Sequence, residues 1–413
     1  MATEIRELDA GDWDEWYGGL ARAFGGPREA PEQRALDRAL CEIDRSLAAW
    51  DGGQVVGSAT AFSFRMTLPG GAPVPTAGVS MVHVAATHRR RGVLRALMRR
   101  QLDDLRARGD EPLAALTASE PPIYGRFGYG LASRMLSVEA DTVRAGLRVP
   151  SAAGEVRLRA VADPADALAA CEEVYARQVP CRAGMLQRRP GWERLGLQDP
   201  PGDRQGGSPL RCVLAEGDGG EVRGYARYAV ALHHDDRGAH DGRVRLDEVE
   251  ALDPAAYAAL WRFLFDIDLT VTLTARNRPV DDPWLHLVED WRMCRLRFRD
   301  ALFVRPVDVG RALAARTYSA DVDVVLDVAD DFCPWNAGRW RLSGDTGGAT
   351  CGRTREPAEL SLSVRELGAA LLGGETLAAL AGAGRVRELR EGALAAASRA
   401  FATDLAPWLP HSF

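Results

Sequence analysis

The 413-residue sequence predicts a mixed α/β (α+β) protein made of two similarly ordered units and a smaller α+β unit at the C-terminal end. Three observations carry this. An apolar, valine-rich strand over residues 77–85 runs straight into a helix through Arg89-Arg-Arg-Gly92, where Val93, Leu94, Leu97, Met98, Leu102 and Leu105 take up helical spacing. Residues 155–300 read as a second, weaker copy of the same order of elements. From about residue 301 the composition shifts toward alanine, leucine and glycine.

In chain order, residues 4–8 form a short strand, and a helix follows with Trp13, Trp16, Tyr17, Leu20 and Phe24 on its apolar face. Gly25-Gly-Pro27 breaks it before a second helix over about 31–45, with Leu36, Leu40 and Ile43 inward. Strand patterns at 47–50 and 54–66 flank Asp51-Gly-Gly53 and make a hairpin. Pro69-Gly-Gly71 then precedes the strand and helix of the arginine turn. Residues 113–119 are a short apolar strand ending at Glu120-Pro-Pro-Ile-Tyr-Gly-Arg-Phe-Gly-Tyr-Gly130, and a further strand lies around 131–140.

In the second copy, 156–160 is a strand, 165–177 a helix, 211–215 and 221–230 a hairpin, and 243–252 a strand feeding the helix 254–265. The third unit has strands at 302–305, 322–328, 338–342 and 358–362. Its helices fall at 364–372, 376–383 and 390–401, and it ends in the apolar tail Leu405-Ala-Pro-Trp-Leu-Pro-His-Ser-Phe413. The expected domains are 1–140, 141–300 and 301–413.

Composition narrows the function. Hydrophobic content of 46% with 27% charged residues is ordinary for a globular chain. No tract reaches the roughly 18 apolar residues of a membrane span. The N-terminus lacks the basic start and apolar core of a signal peptide, so a cytoplasmic location is expected. Seven scattered cysteines without CxxC spacing suggest neither a disulfide framework nor a zinc knuckle. A net charge of −6 argues against non-specific nucleic-acid binding. All 52 basic residues are arginine, which excludes lysine-dependent chemistry.

The turn at Arg89-Arg-Arg-Gly92 has the ingredients of an anion site. The first amides of a helix have no partner within it, the helix dipole adds partial positive charge there, and glycine lets an anionic group approach the main chain. A run of arginines at a helix start is also what a solvated face looks like, and neighbouring features must decide. At the matching point of the second copy stands Asp253-Pro254-Ala255-Ala256: Asp caps the helix and repels phosphate, and no glycine opens the backbone. The second copy is therefore expected not to bind the same anion. The cluster from His233 to His240 has metal-ligand residue types, but it reads as a solvated hairpin loop, and no metal is expected.

The order β, α, α, β, β, β, α, β resembles the acyl-CoA-dependent N-acetyltransferase (GNAT) fold, whose fourth strand and third helix carry a Q/R-x-x-G-x-G/A turn for the CoA pyrophosphate. Arg89-Arg-Arg-Gly92-Val-Leu94 resembles that turn, with Leu94 where a small residue is usual. The segments PTAGVSMVHVAATHRRRGVLRALM (75–98) and ASEPPIYGRFGYG (118–130), the second copy and an aromatic C-terminal residue together resemble the Eis (enhanced intracellular survival) acetyltransferases over essentially the whole chain.

That resemblance implies an active GNAT domain, a degenerate GNAT-like domain and a C-terminal domain like sterol carrier protein, assembled as a homo-oligomer, a hexamer in the family. It implies acetyl-CoA as co-substrate, held at Val82, His83 and Val84, at Arg90, Arg91, Gly92, Val93, Leu94 and Arg95, and at Ser119 and Glu120. It also implies Tyr124 as general acid and the free α-carboxylate of Phe413 as general base. A terminal carboxylate suits that role, because nothing following it must be threaded out of the cleft. His83 alternates with Val82 and Val84, so its side chain either reaches the cleft or lies in the interior. His88, beside three arginines, reads as structural or as lying on the CoA side.

The acceptor is expected to be the primary amine of a small molecule or peptide: aminoglycoside-like, polyamine or lysine. Eis enzymes that take aminoglycosides line their pocket with acidic residues just after the first helix and beside the C-terminus. Here Gly25-Gly26 and Ser412 stand at those places, with Glu29, Glu32 and Asp37 nearby as possible substitutes. The rival expectation is a non-catalytic protein binding an apolar ligand through its C-terminal domain.

Overall fold

A computed structural model describes residues 3–25, 30–234, 236, 238 and 240–413. The first unit contains β1 (Glu4–Glu7), α1 (Trp13–Phe24), α2 (Pro31–Leu40), β2 (Ser46–Asp51), β3 (Gln54–Thr67), β4 (Pro73–Val84), α3 (Val93–Arg108), β5 (Leu113–Thr117), α4 (Pro121–Tyr124) and β6 (Gly130–Leu131). Then come β7 (Arg134–Asp141), α5 (Thr142–Ala145), β8 (Arg157–Val161), α6 (Leu168–Gln178), β9 (Arg211–Glu216), β10 (Val222–Ala231), β11 (Gly242–Ala251), α7 (Pro254–Phe265), β12 (Thr270–Arg278) and β13 (Cys294–Asp300). The last stretch is β14 (Leu302–Pro306), α8 (Val309–Ala314), β15 (Val322–Ala329), β16 (Gly338–Asp345), β17 (Gly348–Arg353), β18 (Leu360–Ser363), α9 (Val364–Ala370), α10 (Leu377–Gly382), β19 (Val386–Glu388) and α11 (Ala393–Phe401).

These strands form three sheets, in the orders β1-β2-β3-β4-β5-β14-β6, β13-β7-β12-β11-β10-β9-β8 and β17-β16-β15-β18-β19. Two strands lie in sheets other than those expected. The strand expected to finish the first unit, β7, sits in the second sheet between β12 and β13, and β14, expected in the third unit, enters the first sheet between β5 and β6. Short apolar strands of this kind state which face is buried but not which neighbour they pair with.

Local packing follows from side-chain spacing. Trp13, Trp16 and Tyr17 bury one face of α1, and Trp13 stacks on Tyr17 at 4.6 Å, as residues four apart on a helix do. Phe24, expected on that face, is 59% exposed at the helix end. The second helix stops at Leu40 rather than 45, because Cys41 is extended and residues 43–45 make only one 3-10 turn. Asp37, raised as a substitute acidic residue, already accepts from Tyr17 and from Gln33, Glu32 is exposed, and Gly26 and Glu29 lie outside the described residues.

One apolar cluster runs from Phe62, Phe64 and Met66 of β3 through Leu302 and Val304 of β14 into Leu326, Leu362 and Phe401 of the third unit. The second sheet has its own core, with Trp261 of α7 against Trp284 at 5.2 Å. The feature that positions the site lies in the first sheet. β4 and β5 pair in parallel only from Thr76 to Gly78 against Leu113 to Ala115, whereas β5 continues along β14 as far as Thr117. Beyond Gly78 the two strands part and leave a cleft.

Candidate active site

Within that cleft β4 carries a bulge. Ser58 pairs with His83 and Thr60 with Ser80, so two residues, Met81 and Val82, lie opposite the single residue Ala59. Met81 has φ +50, a left-handed conformation costly for a side chain with a Cβ, and Ser58 Oγ donates to its carbonyl at 2.5 Å. With β5 already diverging on the other side, the bulge takes this main chain out of regular pairing. Such freed main chain can meet the carbonyl of a substrate.

The arginine turn opens at the end of β4. Arg90 and Gly92 both have positive φ, +63 and +84, and Gly92 caps α3 with no side-chain hydrogen bond to the first amides. A Cβ placed on Gly92 would meet no atom within 4 Å, so the space beside these amides is open. Arg89, Arg90, Arg91, Gly92 and Arg95 are exposed, Val93 is buried beneath them, and Leu94 is half-buried against the core. Leucine in place of a small residue is thus turned inward, away from the opening.

The equivalent turn of the second unit is closed. Asp253 accepts from the amides of Ala255 and Ala256 at 3.0 Å each and pairs with Arg223 at 2.8 Å. The amides that would bind phosphate are already satisfied by a carboxylate.

Tyr124 ends the short helix α4, just past β5, and packs edge-on to Tyr129 at 6.1 Å. Burial, reinforced by the Glu120 carboxylate, pushes its phenol up to about 12. It therefore holds its proton at neutral pH and can donate it. Ser119 and Glu120 are exposed at the mouth of the same loop.

The C-terminal tail reaches the cleft from the far side. Trp408 donates from its main chain to Ala183 O at 2.9 Å and from its indole to Asn277 O at 3.0 Å, and Asn277 Nδ2 donates back to Leu409 O at 3.0 Å. Arg182 bridges Asp281 and Ala406 O at 2.6 and 2.8 Å. His411 Nε2 meets the Tyr175 hydroxyl at 3.1 Å. Burial, with Arg188 nearby, holds this imidazole down to about 3, so it is neutral. At the end, the main-chain oxygen of Phe413 accepts from Ser80 Oγ on β4 at 2.9 Å.

The Phe413 ring lies edge-on to Phe64 at 5.2 Å, and Phe64 packs in turn on Trp192 at 4.8 Å. Gly78 makes room for them. A Cβ there would stand 2.4 Å from Phe64 and 3.1 Å from the Phe413 ring. Ser80, Asn277, Tyr175 and Trp192 are the contributors that sequence reasoning missed. The one signal for Ser80 is a hydroxyl in the middle of an apolar strand.

The two histidines of the turn region serve the scaffold with their side chains. His83 is 6% exposed, bonds Ser58 Oγ through Nδ1 at 2.5 Å and faces Gly19 of α1, so only its main chain adjoins the cleft. Burial, with Arg22 nearby, depresses it to about 4. His88 Nε2 binds Asp51 at 2.9 Å and ties the turn to the β2–β3 hairpin. Of the cluster after β10, His234 and His240 face each other at 4.7 Å, while Asp235, Arg237 and Ala239 lie outside the described residues. Among the described residues, no group of three or more His, Cys, Asp or Glu is placed to hold a metal.

Two small cavities flank the tail at His411 and Ser412. One, of about 110 Å³, reaches Thr117, Asn277 and Asp300; the other, of about 120 Å³, reaches Trp192, Arg227 and Glu248.

Residues 4–132 and 184–306 each match an acetyltransferase (GNAT) domain family, and residues 309–410 match the sterol carrier protein domain family. The chain is 62% identical to an uncharacterized N-acetyltransferase of Streptomyces avermitilis, with all of both chains covered. It is 34% identical to the N-acetyltransferase Eis of Mycobacterium tuberculosis, over 95% of this chain and 96% of that one. The crystal structure of Eis1 from Mycobacterium abscessus superposes with a TM-score of 0.84 at 33% identity, covering all of both chains.

Proposed function

Because the chain belongs to the Eis family of GNAT N-acetyltransferases, we propose that it transfers acetyl from acetyl-CoA to a primary amine by direct attack, with the Phe413 carboxylate as general base and Tyr124 as general acid. The observation that carries this reading is the hydrogen bond from Ser80 to the terminal oxygen of Phe413, on the strand where β4 parts from β5. A frayed terminus would have no reason to be held at both its backbone and its last oxygen.

The residues present fit the donor. The open amides at Gly92 and the arginines at 90, 91 and 95 suit a pyrophosphate, Val82 to Val84 offer main chain to the pantetheine arm and thioester carbonyl, and Ser119 and Glu120 border the far end. The donor supplies an activated acyl thioester. The chain does the rest: the carboxylate of Phe413 takes a proton from the incoming ammonium so that its lone pair can attack, and Tyr124 gives its proton to the departing sulfur. A phenol held up to about 12 remains protonated for that second step.

The two cavities beside His411 and Ser412 suit the acceptor, since they adjoin the terminal residue. The acceptor classes carried forward are aminoglycoside-like, polyamine and peptide amines. No described helix is long and apolar enough to cross a membrane, and a cytoplasmic hexamer is the state the family resemblance suggests. Mass determination in solution tests the hexamer.

The mechanism is tested by replacing Tyr124 with Phe and, separately, adding residues after Phe413. Loss of acetyl transfer in both, with acetyl-CoA affinity retained, supports it. Full turnover in both would remove the two residues from the reaction.

A further inference from the structure

On one face of the second sheet α6 packs over β9, β10 and part of β11, and the rest of that face is open. On that face stand Arg295, Arg297 and Arg299 of β13, Arg276 of β12, and Arg243 and Arg245 of β11, around a groove of about 720 Å³. Registers place them as one surface: Arg295 lies opposite Glu139, Glu139 opposite Thr274, and Thr274 opposite Arg245. Arg295 pairs with Glu139 at 3.1 Å and Arg245 with Asp247 at 2.8 Å. Arg243, Arg276, Arg297 and Arg299 are exposed and have no ion-pair partner among the described residues. In a chain of net charge −6 this concentration of unpaired positive charge is a local exception.

The groove also borders the site at Arg299. Arg299 lines both the groove and the 110 Å³ cavity that reaches Thr117 and Ser412. We propose that the groove is a docking surface for an acidic polypeptide, which delivers one of its own amines past Arg299 to the terminal carboxylate. This rests on the acetyl-transfer reading of the cleft and adds the class of acceptor to it.

Three features favour an acidic polypeptide. Guanidinium groups bind carboxylates through paired N–H donors, and four here are free to do so. Alternate residues along β13 lie roughly 6.5–7 Å apart, the spacing of alternate side chains on an extended peptide. β13 is an edge strand, so the backbone groups that do not face β7 are open to another extended segment. A second copy of β13 would bring arginine against arginine. Among the described lining residues His233 is the one ring, which leaves little for nucleic-acid bases to stack on. A polycationic amine would meet net repulsion in the groove, where arginines outnumber the carboxylates of Glu139 and Asp241.

The test compares lysine peptides flanked by glutamate, serine or arginine as acceptors for the full-length chain at fixed acetyl-CoA. It is repeated on the variant carrying Arg243→Gln, Arg276→Gln and Arg297→Gln together. The expected result is a KM for the glutamate-flanked peptide about tenfold or more below that for the serine-flanked one, an advantage lost in the variant and with added salt. Equal KM values, or preference for the arginine-flanked peptide, would overturn the proposal.

Binding of a labelled decaglutamate, followed by anisotropy without acetyl-CoA, keeps the two readings apart. If no amine is acetylated yet decaglutamate binds and the variant loses it, the transfer reading fails and the groove stands. Tighter binding of a single-stranded oligonucleotide, or a change of oligomeric mass in the variant, assigns the groove to nucleic acid or to a second copy and overturns the proposal.

Discussion

Ser80 Oγ donates to the terminal oxygen of Phe413 at 2.9 Å, across 333 residues of sequence. The bond joins β4 to Phe413, and on the proposed mechanism it holds the general base beside the strand that meets the thioester. Replacing Ser80 by Ala removes one charge-assisted hydrogen bond, about 1.5–3 kcal/mol. Steady-state kinetics of S80A should show kcat reduced by roughly tenfold to a hundredfold, with the KM for acetyl-CoA little changed.

That contact was not legible in the sequence, which singled out Phe413 but not Ser80. The arginine turn, Tyr124 and the terminal residue lie in local patterns: a change of period at residue 92, a Pro-Pro-Ile-Tyr turn, an aromatic end. Ser80, Asn277, Tyr175 and Trp192 act through contacts more than 100 residues away in the chain or between units, and no spacing encodes those. The sheet placement of β7 and β14 escaped for a related reason, since alternation specifies a face and not a partner. β13 was legible and was missed: Cys294, Leu296 and Phe298 alternate with Arg295, Arg297 and Arg299, the pattern of a half-buried strand.

Tyr124→Phe keeps the ring packed against Tyr129 and removes only the hydroxyl and the proton it would donate. Its kcat should fall by about 10²- to 10⁴-fold, with the KM for acetyl-CoA nearly unchanged. Because the phenol is pushed up to about 12, the wild-type rate should show no alkaline decline attributable to Tyr124 below about pH 10. Rates measured across pH 6 to pH 10 check this.

Gly92 holds φ +84 at the head of α3. Gly92→Ala adds backbone strain of about 1 kcal/mol and sets a methyl group where the anion approaches. The expected outcome is a raised KM for acetyl-CoA, by about tenfold, with the KM for the amine unaffected.

Arg305 is fully buried, pairs with Asp330 at 2.6 Å and donates to Phe127 O. It links β14 in the first sheet to the third unit. Asp330→Ala leaves its charge uncompensated and should destabilise the protein by about 3–5 kcal/mol, read as a lowered thermal unfolding temperature.

His83, neutral in the fold and depressed to about 4, binds a proton more readily when unfolded, near its ordinary 6.5. Its contribution to stability is therefore complete above pH 6.5 and is lost as pH falls from there to about 4, on the order of 3 kcal/mol. In His83→Gln the loss of denaturant stability over that pH window should be smaller than in wild type.

The role of the terminal carboxylate is tested most directly with one protein measured twice. The chain is made with a short extension after Phe413 that can be cleaved without leaving added residues, and acetyl transfer is followed before and after cleavage at saturating acetyl-CoA. Base catalysis by the Phe413 carboxylate predicts a rate at least about a hundredfold lower before cleavage, restored when Phe413 again ends the chain. Equal rates before and after cleavage would contradict it.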